Sequence, residues 1–186
     1  MKLMLLGGPM MWPLLALSLA ALAVIVERLL VILPLKPPAG LTALSTPDDA
    51  MRAVSGSREL GDFARALERG GESAIVLTGE SIVERMSVRL AMLGTIAKTA
   101  TLLGLLGTIL GMISAFAVIA ETTTGVDMAM LAQGLWQALI TTATGLVIAI
   151  PSYLFLAWFE SRVTAMSGFL TLAGNIVLAG RGGSGA

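Results

Sequence analysis

The chain has 186 residues, 56% of them hydrophobic and 13% charged, with a net charge of zero and a mean hydropathy of +0.89. This excludes a soluble globular domain and fits an all-α integral membrane protein with room for one membrane domain. The absence of cysteine and histidine removes disulfides, thiol nucleophiles, Ser–His dyads, HExxH zinc sites and imidazole relays, and no metal or other cofactor is expected. The net charge of zero says nothing about nucleic acid, and no nucleic-acid partner is expected.

Three apolar stretches are long enough to cross a bilayer, which takes about 20 residues. After a short N-terminal segment (1–9) that carries Lys2, the first span occupies 10–35. Its apolar run exceeds a signal-peptide core and continues past the small residues Ser18–Ala20, so it reads as a retained helix. Glu27 and Arg28, about 100° apart around a helix, fall near its end. Their expected role is interfacial anchoring, with Arg28 snorkelling to the headgroups. Pro34, Pro37 and Pro38 then stop the helix.

Residues 36–95 form the sizeable polar region, read as short helices. Thr46-Pro47-Asp48-Asp49 has the form of a helix start, with proline at the first position and acids in the first turn. Leu60, Phe63, Ala64 and Leu67 follow i, i+3, i+4, i+7, predicting an amphipathic helix over Ser57–Gly70 that Gly70-Gly71 ends. From Glu72 the helical pattern resumes and can run without interruption into the second span. The pairs Arg58/Asp62 and Glu80/Glu84/Arg85 have the spacing of a solvated or inter-subunit helix face.

The second span, 96–120, contains ATLLGLLGTILGMISAFAVIA. Gly104, Gly107, Thr108, Gly111 and Ala115 share a narrow arc at helical spacing, opposite Leu102, Leu106, Ile109, Leu110 and Ile113. The third span, 131–159, repeats the asymmetry: Gly134, Gln137, Ala138, Thr141, Gly145, Ala149 and Ser152 line one face, with Thr142 at its margin. Residue types leave two readings of these stripes, close helix packing or a polar pathway, and both can hold at once. Pro151 removes a donor from the third helix and frees the Val147 carbonyl, giving a kink or a weak point that opens toward the cytoplasm.

Charge sets the expected orientation. Residues 36–95 hold Lys36, Arg52, Arg58, Arg65, Arg69, Arg85 and Arg89, whereas the 121–130 connection holds Glu121 and Asp127 and no basic residue. The positive-inside rule puts 36–95 and the C-terminal segment 160–186, with its Gly/Ser-rich tail, in the cytoplasm, and puts 1–9 and 121–130 on the periplasmic side. No Asp or Glu lies between Thr99 and Ala120 or between Leu131 and Phe159. These spans therefore offer hydroxyls and an amide to guide a proton and no acid to carry one. They also lack the nucleophile–base pair of an intramembrane enzyme, and none is expected.

GLLGTILGMISAF at 104–116 with GLWQALITTATGLVIAIP at 134–151 resembles the ExbB/TolQ/MotA proton-channel family, in its ExbB/TolQ branch. Trp12-Pro13, Glu27-Arg28 and VERMSVRLAMLGTIAKTATLL fit as well, and the likeness covers nearly all the chain except the tail. The resemblance implies a homopentamer in the bacterial inner membrane. Its second and third helices would surround a single-span ExbD- or TolR-like subunit that brings the proton-carrying aspartate. Proton flow would then energise a periplasm-spanning protein of the TonB or TolA type. The family's pore threonines fall on Thr108 and Thr142.

Two departures stand out. Gln137 occupies a position where some members have glutamate, and Thr101 replaces the usual proline before LLGLLGT. The polar region is also too small for the flagellar branch, which has four spans. Two other readings of the residues remain: a non-conducting scaffold that clamps a partner helix, and a small-solute channel that needs no partner.

Overall fold

A computed structural model describes residues 8–33, 46–55, 60–121 and 128–182. Six helices account for them: α1 (Met11–Ile32), α2 (Pro47–Ser55), α3 (Gly61–Arg69), α4 (Glu72–Ser87), α5 (Leu90–Glu121) and α6 (Met128–Gly182). No strand occurs among the described residues, and three helical segments are long and apolar enough to cross a membrane, so the all-α membrane class holds. Pro34, Pro37, Pro38, Arg58, Asp127 and the tail at 183–186 lie outside the described residues.

The chain divides into two compact units, one drawn from residues 1–26 and 91–157, the other from 27–90 and 158–186. In the first, α1 opens with a turn in which the Met11 N–H donates to the Gly8 carbonyl at 3.2 Å. Pro13 sits in the first helical turn, where its missing N–H costs nothing. Met11, Leu14, Ala21 and Val24 are buried on one stripe, while Trp12, Leu19 and Leu22 are exposed. Leu93, Ile96, Ala97 and Ala100 of α5 and Ile148 and Ala149 of α6 are also buried. Pro151 lies inside α6 without ending it.

In the second unit, α2 starts at Pro47 under a reciprocal cap. The Asp49 N–H donates to Thr46 Oγ1 at 3.2 Å and the Thr46 hydroxyl donates to Asp49 Oδ2 at 2.7 Å, which satisfies a first-turn donor the helix cannot. Leu60, Phe63, Ala64 and Leu67 are all buried, so the apolar period of α3 faces the core; the expected start at 57–59 lies outside the described residues. Arg181, near the end of α6, donates to the carbonyls of Leu67, Glu68 (2.8 Å) and Gly70 (2.6 Å). It caps the C-terminus of α3, where carbonyls have no helical donor.

The C-terminal part of α6 buries Phe159, Met166, Phe169, Leu170, Ala173 and Val177 on one stripe. Trp158 meets Phe159 edge to face at 5.3 Å between ring centres and carries the Arg162 guanidinium 5.2 Å from its own. Gly168 lies on the open side of this helix, with no atom within 4 Å of where a Cβ would stand. Gly168→Ala is expected to raise stability by about 0.5–1 kcal/mol, because glycine gives up more backbone freedom in a helix. Thermal unfolding of the purified protein checks this, and a lowered midpoint counts against it.

The junction before α5 departs from the sequence expectation. The pattern from Glu72 into the second span is broken: α4 ends at Ser87, Val88 and Arg89 form a turn, and α5 begins at Leu90. Arg89 has φ +68°, a left-handed conformation that L side chains disfavour. Neither glycine nor proline marks the spot, so local propensity held no sign of it.

Candidate functional site

Between α5 and α6 the small residues of the two stripes face each other in antiparallel order. A Cβ built on Gly107 would lie 2.5 Å from Thr141 Oγ1, on Gly111 2.9 Å from Ala138 Cβ, and on Gly134 2.5 Å from Ala115 Cβ. On Gly145 it would lie 2.6 Å from the Ala100 carbonyl oxygen, and on Gly104 3.2 Å from Gly145 Cα. The helices touch backbone to backbone, the contact small residues permit where apolar lipid gives no hydrophobic drive for association. Ala115, Ala138 and Ala149 are buried. Leu102, Ile109, Ile113, Leu139 and Val147 are exposed on this single chain.

The hydroxyls separate into two groups. Those of Thr95, Thr101, Ser114, Thr144 and Ser152 donate to the carbonyl four residues back, at 2.7–3.1 Å, so each is satisfied within its own helix. Thr141 does the same to Gln137 O (3.2 Å) and Ala138 O (2.7 Å), and at 1% exposure it is wedged against Gly107. Thr142 instead reaches across: its Oγ1 donates to Gly104 O of α5 at 2.8 Å. A carbonyl has two lone pairs, and in an α-helix the N–H that takes the other is four residues on, that of Thr108. One carbonyl thus joins the two threonines. Thr108 is half-buried, and its hydroxyl donates to Leu105 O at 2.6 Å.

Gln137 stands apart from this pair. Its side chain lies against Gly8, where a Cβ would run into the amide, and Gly8 has φ +69°. The geometry therefore groups Thr108, Thr142 and Gly104, lodges Thr141 in the helix contact, and sets Gln137 beside the turn that starts α1.

These features coincide with a sequence match. Residues 62–170 match the model of the MotA/TolQ/ExbB proton channel family, more than half of the chain, with Thr108, Thr141 and Thr142 inside the match. The chain belongs to that family. It is 48% identical over 63 residues to the biopolymer transport protein exbB1 of Vibrio cholerae, which covers 34% of this chain and 28% of that protein. It is 31% identical over 105 residues to the Tol-Pal system protein TolQ of Haemophilus influenzae, covering 56% and 46% respectively. With a putative biopolymer transport protein of Synechocystis, ExbB-like 3, it shares 29% identity over 181 residues, or 83% of this chain and 82% of the other. The Vibrio and Haemophilus proteins are thus matched over less than half their length, while relatives named ExbB and TolQ place the chain in the ExbB/TolQ branch.

Glu27 and Arg28 fall in the other unit, in an arrangement the sequence did not disclose. Arg28 is 5% exposed: its Nη1 donates to Arg85 O at 3.0 Å and its Nη2 pairs with Glu27 Oε1 at 2.8 Å. Glu27 Oε2 pairs in turn with Arg89. Arg85 and Arg89 lie about sixty residues away in sequence, and their spacing to Glu27 carries no periodic signal.

Proposed function

We propose that this chain is the proton-channel subunit of an inner-membrane motor and works with a single-span ExbD- or TolR-like subunit that contributes a membrane aspartate. The observation that carries this reading is the Thr142 hydroxyl reaching Gly104 O on the facing helix, one turn before Thr108, between two spans that hold no acid. Both hydroxyls spend their hydrogen on a carbonyl and offer lone pairs, so as they stand they accept a hydrogen bond and do not give one. That matches a partner's protonated, neutral acid as it passes, and a carboxylate would be received only after one of these bonds is given up. Thr141, Gly107, Gly111, Ala115, Gly134, Ala138, Gly145 and Ala149 serve the helix contact, and Pro151 marks the inner part of α6. Gln137 takes no relay step, since an amide neither binds nor releases a proton at ordinary pH.

In this reading five copies enclose the partner's helices, the N-terminus is periplasmic and the C-terminus cytoplasmic. Each proton crossing 100 mV releases about 2.3 kcal/mol, which the assembly passes to a TonB- or TolA-like protein. Two measurements test it. The native mass of the detergent-purified protein is expected to equal five chains of 19.2 kDa. Proton flux into vesicles is expected only when the chain and its partner are reconstituted together. Flux with the chain alone favours a partner-free solute channel, and a pentamer that stays silent with its partner favours a scaffold.

A further inference from the structure

We infer that Arg28 and Glu27 are positioning residues that hold a two-state helix junction in its broken form, with the Arg28 guanidinium supplying the Arg85 carbonyl with a donor while the Arg89 backbone N–H is turned away from it. In an unbroken helix the donor to Arg85 O is the N–H four residues on, that of Arg89. Here the last such bond runs from the Val88 N–H to Glu84 O at 2.9 Å. Arg28 Nη1 occupies Arg85 O instead, at 3.0 Å. The last carbonyls of a helix have no donor of their own, and a guanidinium from a separate helix supplies one to Arg85 O.

The second half of the device is Arg89. Its φ of +68° suits glycine far better than arginine, so something must favour that conformation. Glu27 is placed to do so. One carboxylate oxygen holds Arg28 at 2.8 Å and the other holds Arg89, which ties the residue in the strained conformation to the residue that fills its vacated acceptor. Arg28 is buried while Arg89 is half-exposed, so Arg28 is the fixed member and Arg89 the one free to leave. If Arg89 lets go and takes right-handed helical angles, its N–H reaches Arg85 O and α4 and α5 become one helix from 72 to 121. An effect on transport rests on the channel reading above; the junction itself does not.

A single amide reports the state. Val–Arg occurs once in the chain, at Val88–Arg89, so valine labelled at its carbonyl carbon and arginine labelled with ¹⁵N isolate the Arg89 N–H by solid-state NMR of the whole protein in bilayers. The wild type is expected to show the shifts of a positive φ and rapid deuterium exchange. Arg28→Met and Glu27→Gln are each expected to move the shifts into the right-handed helical range and slow exchange at least tenfold. Unchanged shifts and exchange in both folded variants would overturn the inference. If Arg28→Met does not fold, Glu27→Gln decides alone, compared in the wild-type and Arg89→Gly backgrounds; in the latter ¹⁵N-glycine replaces ¹⁵N-arginine, since Val–Gly then occurs only at 88–89. Glycine takes positive φ unaided, so the same change should then do nothing. An equal response in both backgrounds overturns the role given to the ion pair. Vesicle flux is read in parallel: if the wild type with its partner is silent, the channel reading fails while the amide still reports on the junction.

Discussion

Thr142→Val is expected to lower proton flux of the chain with its partner about fivefold or more while leaving the helix pair assembled. Valine keeps the shape of threonine and removes the oxygen. The structural loss is one bond, from Thr142 Oγ1 to Gly104 O, and a single neutral hydrogen bond contributes only about 1 kcal/mol net. Five small-residue contacts between the helices remain, so they stay together. The transport loss is larger because the oxygen has a second use. Its free lone pairs are what the passing neutral acid would donate to, and leaving such a buried donor without a partner costs about 1–3 kcal/mol. At about 1.4 kcal/mol per factor of ten in rate, that range spans roughly fivefold to a hundredfold.

Two comparisons make the result specific. Thr142→Ser keeps the oxygen and should stay near wild type. Thr144→Val removes a hydroxyl bonded only to its own helix, at Ile140 O, and should change flux little. Flux is read as dye-reported acidification of vesicles at fixed voltage. A Thr142→Val protein that assembles and conducts normally would take the oxygen out of the pathway and leave Thr142 as a packing residue.

The sequence showed most clearly what depends on local periodicity. The spans follow from unbroken apolar runs, and the packed stripe follows from Gly104, Gly107, Gly111 and Ala115 recurring at helical spacing. The burial of Leu60, Phe63, Ala64 and Leu67 follows from i, i+3, i+4, i+7. What stayed hidden depends on pairs distant in sequence. Nothing around Glu27 points to Arg89, and nothing in Ser87-Val88-Arg89 announces a helix break, since the turn is held by an ion pair and a guanidinium from α1. Arg181 is a similar case, a helix cap contributed more than a hundred residues away from α3.

The threonines fall between these extremes. Periodicity put Thr141 inside the polar stripe and Thr142 at its margin, and a 100° step decides which of two neighbours meets Gly107 and which reaches Gly104. Residue type cannot separate them, because the same hydroxyl that bonds back in one register bonds across in the next. Gln137 shows the converse. Its amide suits a polar pathway by composition, yet its side chain lies against Gly8, a contact fixed by where α1 begins.

Gly145→Val is expected to dismantle the α5–α6 pair. The first added atom would stand 2.6 Å from the Ala100 carbonyl oxygen and 3.0 Å from Gly104 Cα. Both are backbone atoms, so no rotamer change can make room. Overpacking in cores where side chains can shift costs about 1–3 kcal/mol. Here the only relief is separation of the helices, which also forfeits the contacts of Gly111 with Ala138 and of Gly134 with Ala115, along with the Thr142 bond. The mildest substitution, Gly145→Ala, already meets the same backbone atoms and should lower the thermal midpoint, with valine worse. Gly94→Ala provides the contrast. Its Cβ would meet only Leu156 Cδ2, at 3.2 Å, the far end of a flexible side chain that can turn aside, so its midpoint should lie near wild type. The expected order of stability is therefore Gly145→Val, Gly145→Ala, then Gly94→Ala close to wild type, with Gly168→Ala above it. A Gly145→Val protein that keeps the wild-type midpoint would mean the helices have slack where backbone meets backbone, and the threonine pair would lose the rigid frame that sets Thr142 on Gly104.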